Sequence, residues 1–150
     1  MAVQLPVRCY ATAMRKASRR LTQLYDDALA PSGLRSTQFA ILAELLPRTD
    51  SPPTLQELAD ALVLDRSSLG HNLKPLERDG LVAQQVSLED RRRRLIVATA
   101  QGQAAFNSAR ILWRQAQERF LKTFGEEAAA ELCKALLDIA YDERLVLTEG

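Results

Sequence analysis

Apolar residues return along the chain with two different periods. Tyr10, Met14, Ala17, Leu21, Leu24 and Ala28 recur at alternating steps of four and three, the seam of one long helix, which Pro31 and Gly33 end. A second helix follows Ser36, with Phe39, Leu42, Leu45 and Leu46 as its apolar face, and RTDSPP (Arg48 to Pro53) reads as a loop. Thr54 and Glu57 have the form of a capping box that opens a short helix through Leu55, Leu58, Ala59 and Leu62. Asp65 is placed to cap the next helix, where Leu69, Leu73 and Leu76 share a face and Asp79-Gly80 closes. The period then changes to that of strands. Val82 to Val86 and Leu95 to Thr99 flank the polar stretch SLEDRRRR and predict a β-hairpin. After Gly102 a long helix carries Phe106, Ala109, Trp113, Ala116, Phe120 and Phe124. Gly125 breaks it, and Glu126 to about Leu147 forms the last helix on Leu132, Leu136, Ile139 and Val146. The expected fold is mainly α with one small β-hairpin.

Two short helices joined tightly at Ala61 to Leu64, followed by a hairpin, make a winged helix-turn-helix. With Leu69, Leu73 and Leu76 turned to the core, Arg66, Ser67, Ser68, His71 and Asn72 project from the other side, near the helix N-terminus. Small and hydrogen-bonding side chains at that end suit a DNA major groove, and a helix N-terminus favours a phosphate. Lys74 follows on the same helix. Pro75 removes one helical hydrogen bond, which predicts a kink after His71.

Charge sharpens this reading. The formal net charge of the 150 residues is only +1, yet four arginines, Arg91 to Arg94, stand together at the hairpin tip. An isolated run of that kind is a solvated face. A run at the end of a hairpin that follows a recognition helix predicts DNA contact. Elsewhere the charge is sorted too: residues 1–24 carry five basic side chains and no acid, while the last helix is acidic.

Composition excludes several classes. At 47% apolar and 26% charged residues, the chain is that of one globular domain. No apolar run approaches the ~20 residues that span a bilayer, and the first residues lack the order of a secretory signal, so a cytoplasmic location is expected. Cys9 and Cys133 stand in no metal or redox spacing and are expected to be free thiols. His71 is the only histidine, with no base, nucleophile or metal-ligand partner in sequence reach. No acid/base pair, nucleophile constellation or glycine-rich phosphate loop appears, so neither an enzyme nor a cofactor is expected.

Three stretches carry a resemblance to a known family. LRSTQFAIL (Leu34 to Leu42), TLQELADALVLDRSSLGHNLKPLERDGLV (Thr54 to Val82) and EDRRRRLIVATAQG (Glu89 to Gly102) are similar to the second helix, the helix-turn-helix and the wing of the MarR (multiple-antibiotic-resistance regulator) family. Asp90, Arg91, Arg92, Thr99 and Gly102 match in spacing as well as type. Ser87-Leu88-Glu89 replaces the usual Asp-Pro-Arg before the wing, and Ala98 stands where Leu is usual. The resemblance implies one domain over 1–150, with a DNA-binding winged part at about 34–99 and dimerisation helices at about 5–30 and 100–148. It also implies a homodimeric repressor on a pseudo-palindromic operator, released by a small effector.

Arg92 matches the wing arginine and is expected in the minor groove, where negative potential is strongest when the groove is narrow. Asp90 is expected to hold an arginine by a charge-assisted bond; Arg91 and Arg94 divide between Asp90 and phosphates, and Arg93 contacts phosphate. Tyr10, Phe39, Trp113, Arg15 and Arg19 are candidates for a pocket that takes a phenolic or other aromatic acid. Cys9, beside Arg8 at a helix start, has the setting of a reactive thiolate and loosely resembles the sensing cysteine of the organic-hydroperoxide branch. A thiol-based oxidant sensor is therefore the alternative on the same scaffold, with Cys133 expected to be packing. A winged-helix module for protein–protein contact is the rival of another class, and it has no need of four arginines.

Overall fold

The computed structural model describes residues 8–147. At its centre is α2 (Ser36–Leu45), whose Phe39, Ile41, Leu42 and Leu45 are all buried. A short helix with apolar side chains in several directions has to be surrounded, and it is. Helix α1 (Tyr10–Leu29) precedes it and α5 (Ala100–Phe124) crosses both, while α3 (Leu55–Leu62) and α4 (Arg66–Arg78) pack beneath. Phe39 stacks on Phe106 at 4.6 Å and on Trp113 at 5.8 Å between ring centroids, an arrangement that ties α2 to α5. The Asp26 carboxylate accepts the Ser36 N–H at 2.7 Å, so a side chain of α1 satisfies a free amide at the start of α2.

The capping box is formed as expected: Thr54 accepts the Glu57 N–H at 3.2 Å and Glu57 accepts the Thr54 N–H at 2.8 Å. Helix α3 ends at Val63, a β-branched residue in the left-handed region with φ of 53°. Helix α4 runs unbroken through Pro75.

Strands β1 (Val82–Val86) and β2 (Arg94–Ala98) pair antiparallel, Val82 opposite Ala98 and Val86 opposite Arg94. A third segment joins them: Thr54 bridges to Leu95, and the Ile96 N–H donates to the Pro53 carbonyl at 2.8 Å. The wing is therefore sewn to the segment that leads into α3. Thr99, expected to close the second strand, instead caps α5. Its hydroxyl donates to the Gly80 carbonyl at 2.6 Å and accepts the Gly102 N–H at 3.0 Å. Gly102 lies in the first turn of α5 rather than before it. A Cβ there would stand 2.1 Å from the Leu81 carbonyl oxygen, so only glycine permits this approach of α5 to the hairpin.

The last helix is shorter than its apolar pattern predicts. α6 spans Glu126–Ala140, and a separate 3-10 turn at Glu143–Leu145 follows, capped by the Asp142 side chain. In the single chain α6 buries only Ala129. Leu137, Ile139, Val146 and Leu147 stay exposed, as does Ile111 of α5. Residues 1–7, which include the start of the first expected dimerisation helix and the N-terminal stretch without signal-like order, and residues 148–150 lie outside the described part of the chain.

Candidate nucleic-acid interface

Three elements meet at one polar cleft of about 430 Å³: the start of α3, the start of α4 and the wing. Arg66, Arg92, Arg93 and Arg94 line it together with Thr54, Gln56 and Gln84. Arg66 comes from the first turn of α4, so arginines 26 or more positions apart converge only through the fold. Arg91 is exposed on the tip outside the cleft.

Helix α4 presents the expected face. Leu69, Leu73 and Leu76 are buried, while Arg66, Ser67, His71 and Lys74 are exposed and Ser68 and Asn72 are half-buried. Two of these polar side chains are already engaged. The Ser68 N–H and hydroxyl both donate to Asp65, each at 2.7 Å, and those bonds hold the Asp65 carboxyl below the usual carboxylate range. The Asn72 amide donates to the Ser68 carbonyl at 2.9 Å, one turn back on its own helix. Ser67, His71, Arg66 and Lys74 make no side-chain hydrogen bond or ion pair among the described residues.

The wing tip differs from expectation in how its charges are used. The Asp90 carboxylate does not hold an arginine side chain; its Oδ1 accepts the backbone N–H of Arg92 at 3.0 Å. The Asp90 N–H donates to Ser87 Oγ at 3.3 Å, and its carbonyl accepts the Arg93 N–H at 2.9 Å. A carboxylate two residues before a free N–H closes the turn locally, which a side-chain pair with a neighbouring arginine would not do. Ser87 is the polar residue buried beneath this turn. Arg93 is also placed differently: its Nη2 donates to Glu57 of α3 at 3.2 Å. Glu57, Gln56 and Gln84 had no signal as site residues in the sequence, since their neighbours here come from far along the chain.

The five residues expected to form an effector pocket are not brought together. Phe39 and Trp113 belong to the aromatic stack of the core, while Tyr10, Arg15 and Arg19 are exposed on α1. An apolar cavity of about 580 Å³ does open between α1 and α6, and none of the five lines it. Its walls include Met14, Leu21, Leu132 and Leu136, with hydroxyls from Ser18, Thr22, Tyr25 and Ser36 and, among the described residues, no cation. The Tyr25 hydroxyl donates to Gln117, and burial raises its pKa above the ordinary tyrosine value.

Cys9 is exposed at the N-cap position of α1. The Thr12 hydroxyl donates to its Sγ at 3.2 Å, and this bond, more than the charge of Arg15, lowers the thiol pKa. Cys133, expected to pack, is exposed in the single chain and borders a groove with Leu21, Tyr25 and Phe120. Among the described residues no three His, Cys, Asp or Glu side chains stand close enough to hold a metal ion, and no helix is long and apolar enough to cross a membrane.

Comparison with known proteins agrees with this geometry. A helix-turn-helix domain model matches residues 34–85. The transcriptional regulator MosR of M. tuberculosis is 35% identical, with a TM-score of 0.75 over 89% of this chain and 96% of its own. The same regulator in complex with DNA gives 36% identity and a TM-score of 0.71, over 88% of this chain and 98% of that one. A MarR-family regulator from Rhodococcus sp. RHA1 shares the fold at 20% identity and a TM-score of 0.74, over 89% and 98% of the two chains. An uncharacterized HTH-type transcriptional regulator of Bacillus subtilis (strain 168), YwoH, is 26% identical over 114 residues, 76% of this chain and 81% of that one. With the winged fold, the matched wing motif and identity that extends over nearly the whole of both chains, the protein belongs to the MarR family of winged helix-turn-helix transcriptional regulators.

Proposed function

We propose that the chain is a cytoplasmic repressor that binds a pseudo-palindromic operator as a homodimer and leaves it when a small effector binds. The observation that carries the DNA reading is the convergence of Arg66, Arg92 and Arg94 on one cleft beside the exposed face of α4. In this reading α4 enters the major groove. Ser67 and His71 face base edges there, Asn72 joins them on giving up its bond to the Ser68 carbonyl, and Lys74 and Arg91 reach toward the backbone. Arg92 enters the adjacent minor groove, and Asp90 acts through the turn that presents Arg92. The 36% identity to MosR, which is known in complex with DNA, supports DNA binding by likeness.

The dimer rests on exposed apolar side chains: Leu137, Ile139, Val146 and Leu147 at the C-terminal end, and Ile111 on α5. A surface of that kind is stable in water when it is covered, and a second copy of the same surface covers it symmetrically. An effector in the α1–α6 cavity would meet apolar walls and hydroxyls. Among the described residues its lining is apolar and hydroxylic, which suits a neutral apolar compound better than the carboxylate of an aromatic acid.

Titration of a duplex selected by the wild-type chain from a random-sequence pool tests this reading. Each phosphate contact contributes about 0.9 to the slope of log affinity against log salt. Arg92→Ala should weaken binding and reduce that slope without unfolding the protein, and Asp90→Ala should weaken it by loosening the tip. Salt-insensitive binding would instead favour a protein-docking wing. Sedimentation at micromolar concentration should give a dimer, and a monomer that still binds a two-half-site duplex tightly would defeat the assembly. The exposed, hydrogen-bonded thiol of Cys9 keeps one second reading in view, an oxidant-sensing repressor. Under that reading Cys9→Ser would bind DNA and ignore hydroperoxide, while Cys133→Ser would behave like the wild type.

A further inference from the structure

Glu57 uses both of its carboxylate oxygens. Oε2 accepts the Thr54 N–H at 2.8 Å and closes the cap of α3, while Oε1 accepts from Arg93, 36 positions later in the wing, at 3.2 Å. Arg93 is held by its backbone as well. Its N–H donates to the Asp90 carbonyl at 2.9 Å, and its carbonyl accepts the Ser87 N–H at 3.0 Å. Immediately after it, Leu95 bridges to Thr54 and Ile96 is buried at the base of the wing. Residues 88–92 beyond it are all exposed. Arg93 is thus the point at which the tip is fastened to the helix-turn-helix unit.

We propose that Arg93 is a positioning residue rather than a DNA ligand: its pair with Glu57 sets the attitude of the wing relative to α4 and leaves Arg66, Arg92 and Arg94 to meet the nucleic acid. The inference rests on the DNA-binding reading above. Two physical considerations carry it. A two-stranded hairpin is marginally stable by itself, so the direction of its tip depends on what braces it. Glu57 also stands next to the cleft, where an unpaired carboxylate would repel a phosphate; the Arg93 guanidinium neutralises it in place. An arginine that left for a phosphate would uncover that charge. The four arginines of the tip therefore divide by role, Arg93 held on Glu57 as a brace and its neighbours available to the nucleic acid.

The pair is half exposed, with side-chain accessibilities of 51% and 54%, so it adds little to global stability. Its loss should change DNA affinity by roughly two- to fivefold, the scale of an exposed ion pair. The test uses the full chain, the selected duplex, and the variants Arg93→Ala, Glu57→Gln and both together. Glu57→Gln keeps an oxygen for the Thr54 N–H and removes the charge. A brace predicts that Arg93→Ala weakens binding with the salt slope unchanged, and that it adds nothing once Glu57→Gln is present. A slope that falls by about 0.9 in Arg93→Ala, with a penalty that persists in the Glu57→Gln background, makes Arg93 a phosphate ligand and overturns the proposal. Amide hydrogen exchange of residues 87–96 without DNA gives an independent reading. It should accelerate in Glu57→Gln, and unchanged protection would remove the brace. A wild-type chain that captures no duplex would count against the DNA-binding reading alone, because the exchange measurement needs no DNA.

Discussion

The Tyr141 hydroxyl donates to the Ala61 carbonyl oxygen at 2.7 Å, a bond between positions 80 residues apart. It fastens the segment after α6 to the last turn of α3, where Tyr141 and Val146 share a groove with Val63 and Leu64. The helix-turn-helix turn and the C-terminal segment are in direct contact within one chain. Tyr141→Phe keeps the ring and removes the bond. With Tyr141 largely exposed, the cost should lie near the lower end of the ~0.5–1.5 kcal/mol of an ordinary hydrogen bond. Amide exchange across residues 141–147 should quicken while that of α5 does not; equal protection in both proteins would show that the apolar contacts alone hold the segment.

Val63 itself predicts a gain. A β-branched residue at φ of 53° is strained by about 1–2 kcal/mol, because its Cβ crowds the following carbonyl. Val63→Gly relieves that strain and gives back roughly 0.5–1 kcal/mol through the greater freedom of the unfolded chain. The side chain is mostly exposed, so little packing is lost. A modest rise in Tm is expected by calorimetry. A fall would mean that the contact of Val63 with the C-terminal segment outweighs its strain.

Gly102→Ala should act in the opposite direction. The added Cβ would lie 2.1 Å from a backbone oxygen, and a backbone atom cannot step aside as a flexible side chain can. Separation of α5 from the Leu81 peptide is the only relief, at a cost of about 1–3 kcal/mol or more. Urea unfolding should show a clearly lower midpoint. An unchanged midpoint would mean that the start of α5 adapts freely.

For Cys9 the prediction concerns pH. The Thr12 hydroxyl stabilises the thiolate, so the thiol ionises below the ordinary cysteine value. Its contribution to stability is present above the unfolded-state pKa and disappears as pH falls through the lowered folded-state one. The measurable consequence is kinetic, since the thiolate is the nucleophile. In a Cys133→Ser background the iodoacetamide reaction should have its midpoint below the ordinary range, and Thr12→Val should move it upward. A midpoint that ignores Thr12→Val would transfer the effect to the helix N-terminus.

Much of this architecture is legible in the sequence. Leu69, Leu73 and Leu76 lie on one face of α4 because helical periodicity and burial are the same fact seen twice, and the Thr54–Glu57 box forms because its partners are three residues apart. Local chemistry misled in two places. Thr99 has the β-branched side chain of a strand residue, yet it caps a helix once Gly80 and Gly102 come within its reach. The apolar pattern of the last helix continues to Val146, but the helix stops at Ala140, where Tyr141 binds to α3 and Asp142 starts a new turn.

The sequence by itself determined the order of elements, the buried and polar faces of α4 and the cluster of charge at the wing. Each of these depends on neighbours within a few residues. Which arginine pairs with Glu57, and which side chains wall the α1–α6 cavity, was decided only by tertiary structure. An arginine pairs with whatever carboxylate the fold carries within reach, and no period in the chain records that Glu57 will stand beside Arg93. The same holds for Leu21 and Leu132. Their apolar spacing requires that each be covered, and only the fold, which sets α1 and α6 on either side of one cavity, determines what lies between them.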